Sequence, residues 1–321
     1  MALTQALKTS HSPDPNDPQE TQPTMKFVLV AGATGYLGKH VVHELKRQGH
    51  RVRALVRNRE KLWKRGPFLE PAVGPEVDEI VVADLTRPET LRGICRDIEY
   101  VISCVGLTRD AGKQTFADVD YQGNHHLLLE AQQSPELKKF IYVSLLTQAL
   151  DPNLEVIQAK ERFVRELQES PTTSCIIRPT GYFSDMTEYL KMAKRGRAYV
   201  LGHGESTINP IHGADLAQVC VKAMIAKEKE WAVGGPQTLT QKQIAQLAFE
   251  VLGKPAKISH LPPGLVGLVT GFTRLYSRQK ADTLAFIAEA AQKGGVAPAQ
   301  GQELLQDYFK EFIASPFFRE S

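Results

Sequence analysis

From Met25 onward, short apolar runs alternate with stretches in which apolar residues recur every three or four positions. The first pattern suits a strand buried on both faces and the second an amphipathic helix. Their alternation predicts an α/β fold of Rossmann type, a doubly wound parallel sheet covered on both sides. Strands are expected at 27–31, 51–57, 79–83, 100–105, 139–144 and 174–178. Helices are expected at 119–132, with Leu127, Leu128 and Ala131 on the buried side, and at 154–167. Gly66-Pro67 and the Pro- and Gly-punctuated residues 71–75 predict an irregular loop before the third strand.

Beyond Thr180 the alternation decays. Helices are expected at 182–196, 213–224, 280–292 and 302–312, with another capped by Thr240, and short strands at 199–201 and 206–208. These are too few for a second sheet. The expected organisation is therefore a nucleotide-binding domain at 25–181 and a smaller C-terminal substrate lobe at 182–321, its late elements returning to the first core. Substrate would lie between them, beyond the carboxyl ends of the strands. Residues 261–272 are interrupted by Pro262, Pro263, Gly264, Gly267 and Gly271, yet Leu265, Leu268, Val269 and Phe272 keep helical spacing. They are read as a helix packed against the rest of the protein.

No apolar run reaches the roughly 20 residues needed to span a bilayer. Residues 1–24 are polar and rich in proline, with no aromatic residue to bury, and predict a disordered tail. Asp14, Asp17 and Glu20 and the lack of arginine disfavour a transit peptide, and a cytoplasmic location is expected. Across 321 residues the net charge is only +3 with acids and bases interspersed, so no nucleic-acid partner is expected. Cys95, Cys104, Cys175 and Cys220 are far apart and suit reduced, buried thiols rather than a disulfide framework or metal site. His125-His126 also lacks the spacing of a helical zinc pair, and no metal is expected.

The chemistry starts at Gly32-Ala33-Thr34-Gly35-Tyr36-Leu37-Gly38, between the first strand and a helix presenting Val41, Val42 and Leu45 on one face. Gly32 suits a sharp turn, Gly35 removes a Cβ that would obstruct a phosphate, and Gly38 lets the helix pack on its own sheet. The helix start adds unpaired N–H groups and the positive end of a dipole, a cradle for a dinucleotide pyrophosphate. The second strand ends Val56-Arg57-Asn58-Arg59, with no carboxylate before Glu60. A carboxylate there would bind the ribose hydroxyls of NAD, whereas arginine suits a 2′-phosphate, so NADP is expected over NAD through Arg57. A solvated surface arginine is the alternative. Asp84 closes the third strand before Leu85, either to meet the adenine amino group or to cap a turn. Cys104-Val105-Gly106 ends the fourth, where Gly106 either admits the cofactor or serves packing.

These residues, with Lys160, Arg178-Pro179-Thr180-Gly181-Tyr182-Phe183, 209–217 and Gly234-Gly235-Pro236, resemble the short-chain dehydrogenase/reductase superfamily. The similarity is to its atypical and extended members, in the NmrA-like branch of small-ligand reductases and redox-sensing proteins. The resemblance implies Asp84 near adenine, Arg57 near the 2′-phosphate, Lys160 near the nicotinamide ribose, and Pro179, Thr180 and Phe183 beside the nicotinamide. Active extended members carry a tyrosine four residues before the lysine, where this chain has Val156, and a serine or threonine where it has Leu146. Ser144 and Tyr182 remain as candidate hydroxyls beside Lys160, which alternatively forms an ion pair with Glu161 or Glu155. His212 is a further candidate for substrate binding.

The expected function is an NADP(H)-dependent oxidoreductase acting on a small, mostly apolar carbonyl or conjugated substrate, with Tyr182, Phe183, Met186 and Leu190 lining the cleft. The alternative is a non-catalytic NADP-binding redox sensor or assembly factor. A nucleotide-sugar epimerase or dehydratase would need the missing tyrosine. Subunit pairing is common in the superfamily, so an oligomer stays open.

Overall fold

The computed structural model describes residues 25–107 and 114–319; the expected tail at 1–24 lies outside them. Strands β1 (Phe27–Ala31), β2 (Arg51–Val56), β3 (Glu79–Val82), β4 (Tyr100–Ser103), β5 (Lys139–Val143) and β6 (Ser174–Pro179) form the sheet read from the sequence. Further on come β7 (Ala198–Leu201), β8 (Thr207–Ile208), β9 (Glu230–Val233), β10 (Leu239–Thr240) and β11 (Ile258–Leu261). The main sheet runs β3-β2-β1-β4-β5-β6-β9 and its pairings are parallel. Its last strand was not expected: Glu230–Val233 is a short apolar run after a charged stretch, and the exposed edge of β6 is what extends it.

The helices are α1 (Tyr36–Arg47), α2 (Asn124–Ala131), α3 (Glu155–Glu169), α4 (Phe183–Lys194) and α5 (Gly213–Lys222). They continue with α6 (Gln241–Val251), α7 (Pro263–Tyr276), α8 (Arg278–Lys293), α9 (Leu305–Ala314) and α10 (Pro316–Arg319). Strand geometry sends alternate side chains to opposite faces. Val28 and Val30 pack with Val41 and Leu45 of α1 and Leu216 of α5, while Leu29 and Ala31 pack with Leu127 of α2 and Phe163 of α3. Each large apolar side chain so buried contributes about 1.5–3 kcal/mol. The helix expected at 119–132 is split: Ala117–Gly123 is a π-helical turn, continued by α2.

The C-terminal lobe has its own core, in which α4, α6 and α9 bring together Phe183, Leu190, Phe249, Phe309 and Phe312. A strap from Gly294 to Leu304 ties it to the sheet. Gly234 N–H donates to the Pro298 carbonyl (3.0 Å), and Gln300 N–H donates to the Gly234 carbonyl (2.7 Å). Buried Asn209 accepts from Ala297 N–H (3.1 Å) and donates to the carbonyls of Ala297 (2.8 Å) and Gly235 (3.1 Å). Asp215 Oδ2 accepts from the backbone N–H groups of Gln302 (3.1 Å) and Glu303 (3.0 Å).

One element departs from expectation. Helix α7 forms, but Leu265, Leu268, Val269 and Phe272 point outward instead of packing. Its contacts are made with α8, through the other side of the helix.

Candidate functional site

The ends of β1 through β6 converge on one edge of the sheet, and the expected site residues sit there. Gly32 turns the chain with φ of +78°, and Gly35 N–H donates back to the Gly32 carbonyl (2.9 Å). A Cβ on Gly38 would fall 2.0 Å from that carbonyl oxygen, so only glycine lets α1 start so close to the turn. Gly35 is exposed and caps α1 without a side-chain hydrogen bond. The first N–H groups of the helix therefore face outward with no cap, the condition for holding a diphosphate. Thr34 is half-buried beside them. Tyr36 and Leu37 have structural partners: the Tyr36 hydroxyl accepts from Gly213 N–H (3.0 Å), its ring lies 5.5 Å from that of Tyr182, and Leu37 is in the core.

At the other end of the groove, exposed Arg57 follows β2 and its Nη1 donates to Gln114 Oε1 (3.2 Å). Gln114 Nε2 donates to Thr86 Oγ1 (3.2 Å), which donates to Asp84 Oδ1 (2.8 Å). Asp84 Oδ1 also accepts from Thr86 N–H (3.0 Å), the turn-capping alternative for this residue. Leu85 is buried, and its carbonyl meets His126 Nδ1 (2.8 Å). Past β4, Cys104 and Val105 are half-buried, and a Cβ on Gly32 would stand 3.2 Å from the Cys104 carbonyl oxygen.

Lys160, on the buried face of α3, is the centre of the site. The expected partners are taken elsewhere: Glu161 pairs with Arg178 (2.5 Å) and Glu155 with Arg278 (2.8 Å). Lys160 Nζ instead lies 2.9 Å from Oδ1 of Asp120, which is 1% exposed. Asp120 comes from the π-helical turn, and its Oδ2 accepts from Leu107 N–H (2.9 Å). A Cβ on Gly106 would stand 3.1 Å from Asp120 Oδ1 and 3.4 Å from Lys160 Nζ, so Gly106 keeps this pair open. Burial by itself favours loss of the lysine proton. The Asp120 charge outweighs it and holds the ammonium above its ordinary range.

Tyr142, next to last in β5, lies under the lysine, with Nζ 5.5 Å from its ring centroid. Burial pushes its phenol up to about 12 against the pull of Lys160. Ser144 follows on the same face of the strand, and neither its Oγ nor the Tyr142 hydroxyl has a hydrogen-bond partner among the described residues. Tyr142 and Asp120 were both missed from the sequence. Tyr142 reads as one more apolar strand residue, and the only signal for Asp120 was a carboxylate inside a helix that turns its neighbours inward.

The remaining expected residues also have structural partners. Phe183 is 2% exposed and packs with Tyr308, and Leu190 at 0% lies in the same lobe core; the period of α4 turns both toward α6 and α9. His212 caps α5, accepting from Ala214 N–H (3.3 Å), and packs between His40 and Tyr308. Tyr182 caps α4, half-buried, and burial raises its phenol well above the ordinary value. Thr180 N–H donates to the Val233 carbonyl (3.1 Å) and its hydroxyl to the Asn209 carbonyl (2.6 Å), while Pro179 closes β6.

The turn at Gly32, the uncapped start of α1 and the orphaned hydroxyls beside Lys160 fit a nicotinamide dinucleotide. The sequence profile of a family described as NAD(P)H-binding matches residues 32–227. The chain belongs to that family. Divinyl chlorophyllide a 8-vinyl-reductase of Zea mays is 29% identical over 267 residues, covering 78% of this chain and 66% of that protein. A photosystem II assembly factor of Synechocystis sp. is 27% identical over 308 residues, covering 89% of this chain and 91% of that one. Among solved structures, an NADPH-dependent quinone oxidoreductase from Escherichia coli, complexed with NADPH, superposes with a TM-score of 0.69. At 18% identity, over 89% of this chain and 99% of that one, this NAD(P)-binding neighbour shares the fold.

Proposed function

We propose that this protein is an NADP(H)-dependent oxidoreductase that reduces a small, mostly apolar carbonyl or conjugated substrate. The observation that carries the reading is a charged Lys160, fixed by Asp120, at the border of an apolar cluster. Phe116, Val156 and Ile157 form that cluster, with Leu107, Leu145 and Phe286 against it. The cofactor, when bound, supplies the hydride. Backbone at Gly32, Gly35 and the start of α1 would hold its diphosphate, Arg57 the 2′-phosphate, and Lys160 with Ser144 the nicotinamide ribose. The Lys160 ammonium stays protonated at Nζ and would stabilise negative charge developing on the substrate, the transferred proton coming from water, where the extended relatives use the tyrosine that Val156 replaces. The apolar cluster, to which α8 brings Phe286 from the C-terminal lobe, excludes water and favours an apolar substrate.

The test follows NADPH absorbance across quinones, enones and aldehydes, with Lys160→Met beside the wild type. Turnover of at least one class is expected, reduced by about 100-fold or more in the variant. Silence across the panel, with NADPH binding demonstrated, overturns the reading. A second reading, a nucleotide-binding assembly factor, is favoured by Val156 and by the Synechocystis relative, whose length the match nearly spans. It requires a partner recovered in one redox state only, and equal recoveries with NADP, NADPH and no nucleotide remove it.

A further inference from the structure

We propose that α7 lies flat in the interfacial layer of an anionic lipid bilayer, an inference that stands independently of the reaction. The outward stripe of α7 is made of Leu265, Leu268, Val269, Phe272, Leu275 and Tyr276, from 46% to 90% exposed. These recur at the spacing of one helical face. The opposite side, with Gly267, Thr270 and Gly271, faces Ala285 and Ala288 of α8 across a hollow of about 490 Å³. The orientation is inverted relative to a helix designed for water: small residues face the protein and large apolar ones face out.

Charge identifies the occupant. From Leu252 to Lys280 the chain carries Lys257, Arg274, Arg278 and Lys280 besides Lys254, whose ammonium donates to the Lys194 carbonyl (2.8 Å), and its first carboxylate after Glu250 is Asp282 in α8. Arg274 pairs with Asp282 (2.8 Å) and Arg278 with Glu155 (2.8 Å), yet both guanidinium side chains remain more than half exposed. A second copy on this face would bring like charges together. A bilayer surface rich in anionic headgroups complements them, and its fluid apolar layer makes no demand for the directional hydrogen bonds that the stripe lacks before Tyr276. The 14 residues of α7 reach about 21 Å, short of a bilayer core of about 30 Å, and among the described residues no helix is long and apolar enough to cross one. The helix therefore lies in the plane of the surface.

The experiment is sedimentation of the full chain with sucrose-loaded vesicles of phosphatidylcholine alone or mixed with phosphatidylglycerol, at low and high salt. The variants are Leu268→Glu/Phe272→Glu, the charge reversal Lys257→Glu/Lys280→Glu, and Ile225→Glu as a control at an exposed apolar residue elsewhere. Circular dichroism and melting confirm the fold of each. Wild type and Ile225→Glu are expected to sediment with the anionic vesicles, more weakly at high salt, and the double glutamate variant to partition about tenfold or more less. The charge reversal is expected to lose the preference for anionic vesicles. Absence of wild-type binding at low salt, undiminished binding of the double glutamate variant, or equal binding to neutral and anionic vesicles overturns the proposal. So does self-association abolished by the same substitutions without vesicle binding, which gives the face to a second copy.

Discussion

Lys160 keeps its charge in a place that would otherwise strip it, because Asp120 is buried beside it with one oxygen anchored by Leu107 N–H. Removing one partner of a buried pair leaves the other uncompensated, at a cost of about 3–5 kcal/mol. Asp120→Asn is expected to lower stability by that amount in urea melts at neutral pH; a loss below about 1 kcal/mol would mean solvent already serves the lysine. Arg57 is exposed and hydrogen-bonded only loosely to Gln114, free to turn to a ligand. Arg57→Ala is expected to weaken NADP by about 1.5–3 kcal/mol in calorimetric titration while sparing NAD. Equal losses for both coenzymes would return Arg57 to an ordinary surface role. His40 supplies a pH signature. Burial, with His212, His43 and Lys39 nearby, lowers its imidazole from 6.5 to about 3. Between those values the unfolded chain binds a proton that the native protein does not. Stability is therefore complete above 6.5 and falls as pH drops through the window, by up to about 1.4 kcal/mol per pH unit. His40→Gln is expected to flatten that slope; an unchanged slope would place the titration elsewhere.

At the scale of the element, the glycine turn separates packing from binding. Gly38→Ala drives a methyl to within 2.0 Å of the Gly32 carbonyl oxygen and must displace α1 from the turn. About 1–3 kcal/mol of stability is expected to go with it, together with NADPH binding. Gly35→Ala, with its nearest contact at 3.2 Å, is expected to keep most of the stability and still lose affinity, since its Cβ enters the outward face of the turn. Fluorescence titration with NADPH beside thermal melts distinguishes them, and parallel losses in both variants would show that the cradle acts only structurally. The π-helical turn Ala117–Gly123 is the other decisive element, since it carries Asp120 to the lysine. Helix α7 shows the limit of periodicity: spacing identified Leu265, Leu268, Val269 and Phe272 as one face, and says nothing of what that face meets.

Across the whole molecule, the strap Gly294–Leu304 joins the lobe to the sheet through polar contacts more than apolar ones. Asp215 accepts from Gln302 and Glu303 N–H, and a Cβ on Gly301 would strike its carboxylate at 2.2 Å. Asp215→Ala orphans both donors, and a loss of about 1–3 kcal/mol is expected. Limited proteolysis should then cut within the strap and release α9 from the lobe core. An unchanged cleavage pattern would show that Asn209 alone suffices to hold it.

The sequence by itself determined the first six strands, their helical cover and the glycine turn, because each follows from a period or a backbone requirement contained in a few neighbouring residues. Arg57 just past β2 and Gly106 just past β4 follow from the same local logic. Tertiary structure decided the rest. Asp120 and Lys160 belong to different helices and meet only when β4 and β5 lie side by side; Glu230–Val233 becomes a strand only against the edge of β6. Phe183 turned into the lobe core because α6 and α9 arrive from far along the chain, and the leucines of α7 point outward because its contacts with α8 are made through the opposite side of the helix. A local pattern fixes which residues share a face, whereas the neighbour of that face is chosen by packing between distant segments.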